Sequence, residues 1–440
     1  MPATGIALLA LSFVFLALVL LRKVEQPRAA LLWVLGLLAG FDTLQVSSIH
    51  LFSLACLLLP LADVRRNRVN AWTPTLTVAA AACLASSVLY GSLVNDASLA
   101  GQLVVLAANA TLLMLFLRPS DLVPVLHGLL AAAVLASVYA GLQTLQVLDP
   151  NFFLDSSGIP RVHAFFREPD FLAAFVAIGL VLSLRLPLRR TVQVPVAGLL
   201  LVTLINTQAR GAWLAVLLSL LAAAGRRRLT SRTVRKHGNR RSAAYACTGA
   251  LATGAWLSVD EGLRSNVSRR LLALLDGGVQ DPSLQARSGQ FESLAGLLQS
   301  APWHGYGLSA AGRVTGLGQV EYGTSGNNVA ANWVLDWLVG GKLLAVPLIV
   351  LFVVTAVRGA ASIPGQLSVL VLANSLFSNL MLLPVAWLVL ALTVVASSER
   401  SLLPGDRRTS AEGSPFASAP RSGDGKTAES RARTGAATAG

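Results

Sequence analysis

Charged side chains are scarce in this sequence, and their scarcity excludes an ordinary soluble domain. Asp, Glu, Lys and Arg together make up 13% of the 440 residues, whereas hydrophobic residues make up 54%. The mean hydropathy is +0.64. A soluble domain of this length could not bury so much apolar surface, so the composition predicts a polytopic membrane protein.

Aromatic residues are also few, at 6% of the chain, and the apolar segments are rich in Leu, Ala and Val. An outer-membrane barrel would alternate apolar and polar residues over segments of roughly ten. The sequence has no such alternation. We therefore expect an all-α fold with about 11 to 13 transmembrane helices and one long extracytoplasmic loop that contains short helices.

Cysteine is nearly absent, and Cys56, Cys83 and Cys247 each lie inside an apolar run without a partner at metal-ligand spacing. The sequence also lacks a Gly-rich phosphate loop, a Cys/His cluster and a Gly-x-Ser-x-Gly elbow. Paired carboxylates that would bind a metal ion do not stand out in the outer segments. We therefore expect no metal and no cofactor, and transfer chemistry that depends on positioning and charge stabilisation.

The net charge is +14, and its distribution argues against nucleic acid as a partner. The basic residues lie mostly in short loops between apolar runs, as in proteins that retain Lys and Arg on the cytoplasmic side. This assignment leaves nine basic residues on the outer side: Arg161, Arg167, Arg210, Arg264, Arg269, Arg270, Arg287, Arg313 and Lys342.

The apolar runs divide the chain into four parts. Residues 1–259 are predicted to hold the N-terminal transmembrane helices, the first at Ile6 to Leu21. Residues 260–338 are predicted to form an extracytoplasmic catalytic loop, and residues 339–398 the C-terminal transmembrane helices. Residues 399–440 lack periodicity and are rich in Pro, Gly, Ser and Ala, which predicts a disordered cytoplasmic tail.

Arginine on the outer side needs an explanation. Arg210 begins an apolar run in TQARGAWLAVL, where it either reaches the lipid headgroups or binds an anion. Arg161, Arg167 and Arg287 are further outer arginines. Because a guanidinium can hold two phosphate oxygens at once, several on one pocket would bind a diphosphate and stabilise it as a leaving group.

The outer segment from Asp149 to Phe175 has two interpretations. Its Phe residues are typical of an amphipathic segment at the membrane interface. Alternatively, Arg161 or Arg167 lines the site and His163 transfers a proton, since a histidine titrates near neutral pH. His304, in APWHGYGL, is a second outer histidine that could do so.

Four motifs in order resemble the bacterial O-antigen ligase and O-antigen polymerase family. They are RVHAFFREPDFLAAF, TQARGAWLAVL, ARSGQFESLAGLLQSAPWHGYGLSAAG and NNVAANWVLDWLVGG, and together they cover roughly Arg161 to Val357. The third resembles the family's Arg, helix and Pro-x-x-Gly-x-Gly. The fourth resembles its His-Asn pair with an acid eight residues after the Asn.

The resemblance assigns roles to individual residues. It places the diphosphate-binding arginines at Arg210 and Arg287, the His-Asn pair at Asn327 and Asn328, and the acid at Asp336. Asn327 cannot act as a general base, because an amide only forms hydrogen bonds. Leu338 also departs from the usual Gly, and His304 stands where the family is usually apolar. His304 is therefore the candidate replacement base.

The resemblance implies a glycosyltransferase of the bacterial inner membrane whose site faces the periplasm or the cell exterior. The donor is a glycan on undecaprenyl diphosphate, and the acceptor is a hydroxyl of lipid A core sugar or of another repeat unit. Membrane lipids and chain-length or flippase proteins are the implied partners. Asn327 favours a polymerase or an exopolysaccharide-type member over a lipopolysaccharide ligase. The alternatives are a flippase for the same lipid-linked glycans, which predicts ionisable residues in mid-span, and a non-enzymatic scaffold.

Overall fold

A computed structural model describes residues 27–41, 45–46, 49–62, 71–147, 153–154, 160–230, 282–313 and 330–401. The apolar run at residues 6–21, another at residues 243–259 and the tail from residue 402 lie outside these ranges. The predictions made for them stay predictions.

The described residues are overwhelmingly helical. Two antiparallel pairs of two-residue strands interrupt the helices, β1 (Gln45–Val46) with β2 (Ile49–His50) and β3 (Phe153–Leu154) with β4 (Pro160–Arg161). The helices are α1 (Pro27–Leu38), α2 (Leu51–Leu57), α3 (Leu59–Ala62), α4 (Trp72–Leu89), α5 (Leu93–Phe116), α6 (Leu122–Thr144), α7 (Pro169–Arg185), α8 (Arg190–Asn206), α9 (Arg210–Thr230), α10 (Pro282–Ser300), α11 (Ala310–Arg313), α12 (Trp333–Gly341), α13 (Val346–Gly359), α14 (Ile363–Ser375) and α15 (Pro384–Ser401).

Three of these helical segments are long and apolar enough to cross a membrane: Trp72–Leu89, Leu93–Phe116 and Pro119–Thr144. Shorter apolar helices occur in α1, α8, α9, α13 and α15. The all-α prediction is thus confirmed for the described part of the chain. The number of spans and the orientation stay predictions. The predicted boundary at residue 338 falls inside α12.

Local sequence explains where several helices begin. Pro169 and Pro384 begin α7 and α15, where the missing N–H costs nothing because the first turn leaves that donor unpaired. The Asn332 side chain caps α12 by accepting from the Val334 and Leu335 N–H groups, each at 3.1 Å. The Ser362 hydroxyl caps α14 by accepting from Gly365 N.

Helices α1 and α6 cross with their backbones almost in contact. A Cβ added to Gly36 would lie 2.0 Å from the Val125 carbonyl oxygen, and one added to Gly128 would lie 2.0 Å from that of Trp33. Only glycine permits this approach, which is the small-residue packing common between apolar helices.

One end of the bundle, which we call the basic end, joins helix termini through arginines. Arg28 forms an ion pair with Asp121 at 2.5 Å and donates to the Phe116 carbonyl at 2.8 Å. Arg185 at the end of α7 donates to Gln366 at the start of α14, and Arg358 at the end of α13 lies over the Trp72 ring that begins α4.

The opposite end, the site end, gathers the segments that the sequence analysis selected. Loop 301–309 contacts the α4–α5 turn, and segment 161–170 contacts the end of α8. The turn after α14 contacts both α9 and α12. Because consecutive helices from α4 to α9 run alternately toward and away from this end, residues far apart in sequence meet there.

Candidate functional site

The Pro-x-x-Gly-x-Gly segment, residues 302–307, folds against the end of α12. The Tyr306 N–H donates to the Val339 carbonyl at 3.0 Å, and the Gly307 N–H donates to that of Gly340 at 2.8 Å. Gly305 has φ +76°, and a Cβ there would lie 2.1 Å from the Gly340 oxygen. The glycines of this motif are therefore required by a close backbone approach and a left-handed conformation.

A buried carboxylate holds the same loop from the other side. Asp96, in the first turn of α5, is fully buried and accepts from the N–H groups of Leu308 (3.0 Å) and Ser309 (3.2 Å). The hydroxyls of Ser309 and Ser92 also donate to it. Asp96 thus fixes loop 301–309 onto the α4–α5 turn.

The sequence analysis did not select Asp96. An acid that follows Gly91-Ser92 and precedes an apolar run could have suggested a special role. Its partners in loop 301–309, however, lie more than 200 residues away, so the sequence around Asp96 could not reveal them.

Asp336, the acid that the family resemblance selects, is buried with 3% of its surface exposed. Its Oδ1 accepts from the Ala330 N–H at 3.0 Å, and its Oδ2 accepts from the Asn379 side-chain amide at 3.1 Å. It also lines a small cavity together with Cys83, Leu99, Leu103, Leu308, Trp337, Gly340 and Leu382. Asp336 therefore lies directly beneath loop 301–309.

Burial decides the protonation of Asp336. It raises the pKa of the carboxyl from 3.8 to about 7, although the hydrogen bonds from Ala330 and Asn379 act in the opposite direction. A carboxyl with a pKa near neutrality can both accept and release a proton under physiological conditions.

We expect this pKa to make stability depend on pH. The unfolded carboxyl titrates at its ordinary value of 3.8 and the folded one at about 7, so the folded state binds more protons between these values. Stability therefore falls as pH rises from about 4 to about 7, by at most about 1.4 kcal/mol per pH unit. Asp336→Asn should remove this slope in melting temperatures measured across that range. Equal slopes in both proteins would contradict the assignment.

Arg161 already has protein partners. It is 8% exposed; its Nη2 forms an ion pair with Asp170 at 2.5 Å, and its Nε donates to the Thr207 carbonyl at 2.8 Å. These contacts tie segment 161–170 to the start of α7 and to the α8–α9 turn. Arg161, predicted to line the diphosphate site, is placed by this geometry to position the turn before Arg210.

His163 lies in the same segment and is also engaged. Its Nδ1 lies 2.7 Å from the Phe166 carbonyl oxygen, and the His163 and Ala164 N–H groups both donate to the buried Gln143 side chain. Phe165 packs its ring on Phe41 with centroids 4.7 Å apart. These contacts give His163 a structural role in holding segment 161–170 in place.

Arg210 begins α9, directly after the turn that Arg161 holds. Gln208 in this turn has φ +55°, and Gly211 packs so closely on Phe377 that a Cβ would lie 2.8 Å from the Phe377 Cβ. Phe377 is two residues before Asn379, the partner of Asp336. The Arg-Gly pair and the buried acid thus lie on the two sides of one short segment, residues 377–379.

The remaining predicted residues are placed unevenly. Arg167 is exposed at the site end, and His304 is half-buried on loop 301–309. Arg287 lies on α10, and nothing is described of its side chain. Asn327 and Asn328 lie outside the described residues. The structure therefore brings Arg161, Arg167, Arg210, His304 and Asp336 to the site end.

No family model matches the chain, and no curated protein matches it. The similarity to the O-antigen ligase and polymerase family therefore depends on the four motifs alone.

Proposed function

We propose that this chain is a polytopic membrane glycosyltransferase of the O-antigen ligase and polymerase class. It would lie in the bacterial inner membrane with its site end facing the periplasm or the cell exterior. The observation that carries the proposal is the convergence of three separate motifs at one end of a helical bundle. This end joins Arg210, His304 and Asp336, whereas Arg28, Arg185 and Arg358 hold together the opposite end.

Each selected residue has a role in the proposed reaction. Arg210, together with Arg167 and Arg287, holds the diphosphate of a polyprenyl-linked glycan and stabilises it as the leaving group. An acceptor hydroxyl oxygen forms a bond to the anomeric carbon while the bond from that carbon to the diphosphate oxygen breaks.

The proton of the acceptor hydroxyl passes to His304 or to Asp336. His304 lies on the fixed loop, and an imidazole nitrogen can accept a proton as a general base. Asp336 is more deeply buried and has a pKa raised to about 7. Asn327 and Asn328 contribute hydrogen bonds to sugar or phosphate.

Transfer by the purified full chain tests the proposal. Wild-type protein in lipid nanodiscs is given a synthetic polyprenyl-diphosphate oligosaccharide and an acceptor glycan without metal ions. We expect an elongated glycan and free polyprenyl diphosphate in equal amounts. Movement of intact donor across a vesicle bilayer without bond cleavage would instead identify a flippase and overturn the proposal.

A further inference from the structure

Four aromatic rings form a row at the site end. Trp303 is 57% exposed and stands edge-to-face against His304, with ring centroids 5.3 Å apart. The His304 ring lies 6.4 Å from that of Tyr90, which is 40% exposed. Tyr90 in turn stands edge-to-face against Tyr306 at 5.4 Å. Two large aromatic surfaces thus face outward on either side of a histidine.

The backbone that carries these rings is held in place. The Trp303 carbonyl accepts from Leu343 N at 3.1 Å, and the Tyr306 N–H donates to the Val339 carbonyl at 3.0 Å. Asp96 holds the end of the same loop. An exposed Trp on a fixed backbone offers a large contact area and loses little conformational entropy when it binds a ligand.

Polar groups adjoin the ring faces. The His304 ring is half-buried between them, and its Nδ1 is buried without a hydrogen-bond partner among the described residues. The Tyr306 hydroxyl donates to the exposed Ser300 hydroxyl at 3.1 Å. Aromatic faces with polar groups beside them suit a pyranose ring, because such a ring presents an apolar C–H face and a rim of hydroxyls.

We propose that Trp303, His304 and Tyr90 form a stacking surface for a sugar ring of the acceptor glycan. The assignment to the acceptor rests on the proposed function. Three of the rings lie on loop 301–309 and the fourth, Tyr90, directly follows α4, whereas Arg210 begins α9, which packs on α14. A glycan on the rings therefore approaches from a different side than the diphosphate that Arg210 holds.

A lipid headgroup layer is the competing occupant. Leu89 and Val94 are exposed beside Tyr90, and Trp and Tyr are enriched where proteins meet the membrane interface. The histidine between the rings and the polar Ser300 beside them favour the sugar.

Binding of neutral oligosaccharides tests the surface without any transfer assay. The full chain in nanodiscs is mixed with maltotetraose or chitotetraose, and saturation-transfer NMR reports contact. We expect binding by wild type, about tenfold weaker binding by Trp303→Ala, and retained binding by Trp303→Phe. Trp303→Leu should bind as weakly as Trp303→Ala, since it keeps an apolar group but has no aromatic face.

A matched control removes another exposed aromatic ring. Phe291 on α10 is 53% exposed and belongs to no described ring pair, so Phe291→Ala should bind like wild type. Absence of saturation transfer to both oligosaccharides in wild type, or wild-type binding by Trp303→Leu, would overturn the proposal.

Fluorescence quenching separates sugar from lipid. The signal of Trp303 is the difference between wild type and Trp303→Phe. We expect iodide in the aqueous phase to quench it and brominated lipid in the nanodisc to leave it unchanged. Quenching by brominated lipid would show that the membrane covers Trp303, and would overturn the sugar assignment.

Kinetics separate this proposal from the proposed function. If transfer occurs, Trp303→Ala should raise the KM for acceptor about tenfold and leave the KM for donor unchanged. Transfer with an unaltered acceptor KM overturns the stacking surface alone. Sugar binding that depends on Trp303, in a protein that transfers nothing, supports the surface and overturns the glycosyltransferase.

Discussion

Arg210→Ala is expected to lower the rate of glycan transfer about 100- to 1,000-fold, the usual effect of removing one group that stabilises developing charge. The side chain begins α9 at the site end, where the turn before it is held by Arg161 and the residue after it packs on Phe377. Its backbone position is thus fixed independently of any ligand. Arg210→Lys should recover only part of the rate, because an ammonium cannot hold two phosphate oxygens in the planar fork of a guanidinium.

The measurement is release of polyprenyl diphosphate at saturating acceptor. The matched control is Arg190→Ala: Arg190 is exposed and likewise begins a helix, α8, but at the basic end. Arg190→Ala should transfer like wild type and melt at the wild-type temperature. Equal rates for Arg210→Ala and Arg190→Ala would refute the role of Arg210.

Asp96→Asn is expected to release loop 301–309 from the α4–α5 turn. The carboxylate accepts from two N–H groups and two hydroxyls. An asparagine amide would turn an NH₂ group toward some of these donors and leave them unpaired. Hydrogen bonds to a charged group contribute about 1.5–3 kcal/mol each, so losing two should cost about 3–6 kcal/mol locally.

Hydrogen exchange at the Leu308 and Ser309 amides measures this effect directly. We expect both amides to exchange at least about 100-fold faster in Asp96→Asn, as a loss of about 3–6 kcal/mol implies. Asp121→Asn is the control, since Asp121 is also a buried carboxylate but pairs with Arg28 at the basic end. Asp121→Asn should lower overall stability, but the protection of the Leu308 and Ser309 amides relative to that of the α5 amides should stay as in wild type. Slow exchange of both amides in Asp96→Asn would contradict the anchoring role.

The order of the motifs in the sequence was enough to select many residues of the candidate site. It did not show which contacts require those residues. The glycines of the 302–307 segment were selected by resemblance, and only the structure shows that Gly305 is required by contact with Gly340. Asp336 was selected in the same way, whereas its partner Asn379 lies 43 residues later in a turn between apolar runs. A spacing rule cannot connect such positions, because the contact depends on how α12 and α14 pack.

Arg161 and Arg167 show what the sequence could not distinguish. By sequence it was equivalent to Arg167, since both are arginines in one outer segment. The fold buries Arg161 against Asp170 and Thr207 and leaves Arg167 exposed. The Arg161 guanidinium is therefore engaged in holding the turn before Arg210, and Arg167 is an exposed residue of the same segment.

The sequence by itself determined the helical class, the large apolar fraction and the separation of charged segments from apolar runs, because helix formation and hydropathy are properties of neighbouring residues. The tertiary structure alone decided that Asp170 and Thr207 hold the Arg161 guanidinium and that the Asp336 carboxyl is buried. It also raised the pKa of Asp336 to about 7. Burial and hydrogen bonding depend on distances between segments far apart in sequence, and only packing sets those distances.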